Sequence, residues 1–71
     1  MSGNKKMIIQ GKTVHLSFVH DEDTHEWAYT AELPDQNVMG FCKDIDRERA
    51  QKISIHRLFM ALEEAAIKES E

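Results

Sequence analysis

Two histidines and three carboxylates crowd one short stretch, with His20, Asp21, Glu22, Asp23 and His25 inside six residues. Imidazole nitrogens and carboxylate oxygens together suit a divalent transition metal. Residues 20–26 also contain no apolar side chain, which is the composition of a solvated hairpin loop. The second reading prevails, because the 71 residues hold no zinc-ligand spacing, no phosphate-binding loop and no nucleophile beside a base. No metal, no cofactor and no catalytic residue is expected, and the chain reads as something other than an enzyme. His15 reads as an outward polar residue beside Ser17, and His56 falls about 100° from the apolar stripe of its helix. The single cysteine, Cys42, occupies a place that suits a small hydrophobe. It cannot form an internal disulfide, which favours a reducing, cytoplasmic compartment.

Charge offers two candidate binding surfaces. Residues 21–36 carry six acids and no base, while residues 1–20 carry only Lys5, Lys6 and Lys12. Asp21, Glu22, Asp23 and Glu26 lead directly into Trp27 and Tyr29, so an acidic loop adjoins two aromatic side chains. Trp27 and Tyr29 fit core packing first; on an open sheet face they become partner anchors. Further on, Arg47, Arg49, Lys52 and Arg57 fall within eleven positions and form the alternative, a nucleic-acid patch. The net charge of −4 weighs against nucleic acid, because phosphate contacts need a basic face.

The elements that must position these groups follow from hydrophobic period. Residues 13–19 alternate, with Val14, Leu16 and Phe18 on one face. Residues 27–33 alternate again, with Trp27, Tyr29, Ala31 and Leu33 together. Pro34 to Asn37 breaks the pattern, and residues 38–43 form a third short strand. Connections this short demand antiparallel neighbours. Residues 1–12 read as an N-terminal arm, loose over 1–6, with a short fourth strand at 7–10 at most. From Asp46, a helix N-cap, the period becomes helical over 47–71. Ile55, Leu58, Phe59, Leu62, Ala65 and Ala66 mark the face expected to cover the sheet. The expectation is an α+β domain over 13–71, an antiparallel three-stranded meander followed by one long C-terminal helix.

This plan leaves apolar surface over. Ile53, Met60 and Ile67 recur at seven-residue steps on the side of the helix away from that stripe. A sheet covered on one side also leaves a face and two edges open. Small folds usually need further burial, so a homodimer, or a helix face given to a partner, is expected. No apolar run exceeds five residues, the longest being Leu58–Leu62, so no membrane span is expected.

The order of elements, with "EWAYTAELPD", a turn, "VMGFCKDID" and a long Ala/Glu-bearing helix, resembles the HicB-like antitoxin domain over about residues 14–66. Trp27, Tyr29 and Ala31 stand on the aromatic-bearing strand of that family, Pro34 and Asp35 at its end, and Gly40 and Cys42 near its Gly-Cys position. The chain has no room for the operator-binding module of full-length members. The resemblance therefore implies protein binding and dimerisation without DNA binding, with a toxin or another protein as partner. The expected function is an antitoxin-like or inhibitor-like interaction module that binds through an acidic and apolar surface. The alternatives are a nucleic-acid-binding module using the basic helix start, and a phage or mobile-element accessory protein aimed at a host protein.

Overall fold

A computed structural model of the chain describes residues 1–69. Its elements are β1 (Ser2–Ile9), β2 (Lys12–His20), β3 (Trp27–Leu33), a single 3-10 turn (Pro34–Gln36), β4 (Val38–Asp44) and α1 (Arg47–Glu69). The four strands form one antiparallel sheet in chain order, with α1 packed on one face. Residues 70 and 71, the end of the expected helix, lie outside the described residues.

The N-terminal segment corrects the sequence reading. It is a full eight-residue strand, paired from Ser2 opposite Val19 to Ile9 opposite Lys12. The two-residue turn between β1 and β2 explains this register. Gln10 and Gly11 both have positive φ, 53° and 76°, the arrangement that matches the natural twist of a hairpin. The Met1 carbonyl accepts a bond from the His20 N–H at 2.7 Å, so the ladder is tied at its far end too.

Cross-strand register sorts the residues between two faces. Met7, Val14, Leu33 and Val38 form one row on the helix side, and Leu16, Ala31 and Gly40 the next; Phe18, Tyr29 and Cys42 continue it. Val14, Leu16, Tyr29, Ala31, Leu33, Ala50 and Leu58 are the buried centre.

The helix starts where Asp46 places it. The Asp46 carboxylate accepts the Arg49 N–H at 3.2 Å, and its carbonyl accepts the Ala50 N–H at 3.0 Å. The buried line of the helix is Ala50, Ser54 and Leu58. It shares Leu58 with the expected stripe and adds Ala50 and Ser54, small residues that fit where the helix comes closest to β4. A side-chain carbon on Gly40 would overlap the Ser54 carbonyl and the Leu58 amide. Ile55, Phe59 and Leu62 pack from one flank of that line, on the side where Gln51 Nε2 reaches Met7 Sδ at 3.8 Å. Ala66 is exposed and Ala65 only half-buried. Ser54, the one buried polar residue among those described, donates its hydroxyl to the Gln51 carbonyl at 2.7 Å. No described helix is long and apolar enough to cross a membrane.

Candidate functional site

The acidic hairpin between β2 and β3 is built by its own backbone. The Asp21 N–H donates to the Glu26 carbonyl at 2.9 Å, closing the loop, and His25 takes the left-handed conformation at φ 62°. The Asp21 carboxylate accepts the N–H of Asp23 at 2.9 Å and of Thr24 at 3.4 Å. These backbone bonds, that from Asp23 foremost, hold the Asp21 carboxyl below its usual pKa. Asp21, Glu22 and Asp23 are all exposed. Glu26 is half-buried and lies 3.6 Å from Lys43 Nζ. The loop thus holds a fixed negative charge at one end of the sheet.

Beside it, on the helix side, an aromatic cluster closes around the first residue of α1. His20 stacks on Trp27 with centroids 4.1 Å apart, and Phe18 lies 5.7 Å from Trp27 and 5.3 Å from Tyr29. The Arg47 guanidinium sits 4.9 Å from the Trp27 ring and 5.3 Å from the Phe18 ring. Its Nε donates to the Tyr29 hydroxyl at 2.9 Å. Tyr29 is fully buried, so it takes the core role and is withdrawn from the partner-binding set. Trp27 keeps a half-buried edge. Sequence reasoning missed Phe18, His20 and Arg47 as members of this cluster. The only signal was their place in the β2–β3 register and the helix cap, which together bring three elements to one point.

The opposite face of the sheet is uncovered. Val19, Met39 and Phe41 stand on it at 56%, 60% and 50% exposure, among Asn4, Ser17, Thr30, His15 and Glu32. Two shallow depressions mark this face, one around Lys6, His15, Ser17 and Glu32, the other around Asn4, Ser17, Val19, Thr30 and Phe41. Val19 leads straight into the acidic loop, so charged and apolar groups share one end of the molecule.

The remaining candidate residues are dispersed. Arg49 Nε pairs with Asp44 at 3.4 Å, and Arg57 Nη1 donates to the Phe41 carbonyl at 2.7 Å. With Arg47 turned into the aromatic cluster and Lys52 exposed on another side of the helix, the four bases form no single face. Ile53 is half-buried, while Met60 and Ile67 are 50% and 60% exposed. Their flank borders the outer edge of β4, as the reach of Arg57 to Phe41 shows. Cys42 is buried under the helix, and His56 and His25 are exposed. Among the described residues no three His, Cys, Asp or Glu side chains come together to hold a metal ion.

In comparisons with protein-family models, with curated proteins and with solved structures, nothing matches the chain.

Proposed function

We propose that this chain is a small non-enzymatic interaction module, antitoxin-like or inhibitor-like, that binds a partner protein through its acidic loop and the adjoining open sheet face. The observation that carries this reading is the juxtaposition of Asp21, Glu22 and Asp23 with exposed Val19 at one end of the sheet, from which a shallow depression runs across the open face to exposed Phe41 at mid-strand. Fixed charge steers a basic partner inward, and the apolar patch supplies contact area once it arrives.

The HicB-like resemblance favours a basic, RNA-cleaving partner, whose phosphate site the loop carboxylates would occupy. Buried Cys42 is compatible with a reducing, cytoplasmic setting. Nucleic-acid binding by the helix start takes second place, since Arg47, Arg49 and Arg57 are engaged within the fold. The test is affinity capture from the native host followed by binding kinetics on the recovered protein. The triple variant D21K/E22K/D23K should slow association at low salt, and Phe41→Ser should speed dissociation. Kinetics unchanged in both variants would refute the assignment of this surface.

A further inference from the structure

The outer edge of β4 lies in a different place from the loop surface and carries its own set of groups. β4 pairs with β3 along one side only. The Phe41 carbonyl points away from β3, since it accepts the Arg57 guanidinium at 2.7 Å. Apolar side chains flank this edge on both faces of the sheet, Met39 and Phe41 on the open face, Ile53 and Met60 on the helix flank that carries Arg57. From these we infer that the β4 edge accepts an extended peptide segment of a partner protein as a fifth strand, laid in the channel between β4 and the Ile53–Arg57–Met60 flank of α1. Backbone groups of the edge hold such a strand, and alternate side chains reach Met39 and Phe41 on one face and Ile53 and Met60 on the other.

A second copy of this chain does not fit there. The helix backbone stands directly over Gly40 in β4. Two copies joined edge to edge would set both helices on the same side of the joined sheet, with their Ile53–Arg57–Met60 flanks competing for the space above the two edge strands. The occupant must therefore be a strand that carries no helix above it. The other edge, β1, presents Lys5 and Lys6 side by side, a charge guard against strand pairing. Charge selects the occupant further. Arg57 borders the β4 channel, so the incoming strand is apolar at alternate positions with a carboxylate opposite Arg57. Arg57 then exchanges the Phe41 carbonyl for that carboxylate.

The proposal rests on the interaction-module reading and shares Phe41 with its surface, but it engages the β4 edge and not the acidic loop, and the loop variant keeps the two apart. The probe is a capped heptapeptide alternating threonine and valine about one central glutamate, titrated into the 15N- and methyl-labelled full chain. Shifts should concentrate in the amides of Met39, Phe41 and Lys43 and in the methyl groups of Ile53 and Met60. A central lysine in place of glutamate should weaken binding about fivefold, the range of an exposed ion pair, and Arg57→Ala should abolish that preference. A peptide N-methylated along its backbone should not bind. The D21K/E22K/D23K variant should bind the peptide as the wild type does, so failure at the loop leaves this result standing. Shifts in β1 instead, no shift at millimolar peptide, or a self-associated chain whose β4 edge is already covered in sedimentation and exchange measurements would overturn the inference.

Discussion

Replacing Gly40 by alanine tests the closest approach in the molecule. The added methyl group would overlap the Ser54 carbonyl oxygen and the Leu58 amide nitrogen, and lie 2.9 Å from the Arg57 carbonyl carbon. Carbon contacts settle near 3.5–4.0 Å, so α1 would have to retreat by roughly 1 Å along the turn that rests on β4. Overpacking usually costs about 1–3 kcal/mol. The upper end applies, because the obstacles are backbone atoms of successive helical turns and have no rotamer to escape into. For a domain of this size each kcal/mol lowers Tm by about 4–8 °C, so G40A should melt roughly 12–24 °C below wild type. Far-UV circular dichroism melts measure this directly, with G3A as the control. At Gly3 the new methyl meets only the Phe18 ring at 2.8 Å, a side chain at the sheet margin that can swing aside. G3A should therefore lose about 1 kcal/mol. A G40A protein melting within 4 °C of wild type, or less destabilised than G3A, would refute the direct seating of the helix on β4.

Asp46→Ala should cost about 1 kcal/mol in urea unfolding, through loss of the cap on the Arg49 amide; an unchanged midpoint would refute the cap. Arg47→Ala removes the bond to the Tyr29 hydroxyl and the guanidinium beside the single tryptophan, so Trp27 emission should change and stability fall by about 1–2 kcal/mol. Arg47→Lys should restore little of this, because an ammonium lacks the planar fork. Folding holds the Asp21 carboxyl below its usual pKa, so its contribution is present above the unfolded value and fades as pH falls below about 4. Asp21→Asn should flatten the acid limb of the loop's amide exchange below that pH while leaving neutral-pH behaviour of the sheet unchanged.

β2, β3 and β4 were legible because each has one buried and one open face, and alternation records that asymmetry. Asp46 was legible for a similar reason, as a carboxylate placed just before an unbroken helical period. β1 was not. Asn4, Lys5 and Lys6 are exposed on an edge, and the strand is held by backbone pairing and a positive-φ turn rather than by apolar side chains. The buried line of α1 was hidden for the opposite reason. Hydropathy favours Ile55, Phe59 and Leu62, yet the tightest contact against Gly40 admits only Ala50, Ser54 and the near side of Leu58. Tyr29 and Trp27 sit on the same strand face, and no local pattern separates the covered one from its half-exposed neighbour. That difference comes from where α1 begins. The Arg47 cluster was invisible in sequence because cross-strand register and the start of the helix join residues 7 to 29 positions apart, with no local pattern to mark them.

Each strand of the meander lies against the one made just before it, and the helix follows last. The backbone contacts therefore close over short loops, a topology associated with folding on a millisecond scale. During synthesis the first hairpin can zip before the third strand leaves the ribosome. The greasy side of the sheet stays bare until α1 emerges, so the arrival of the helix, rather than strand pairing, sets the moment at which that face is shielded from sticking to its neighbours.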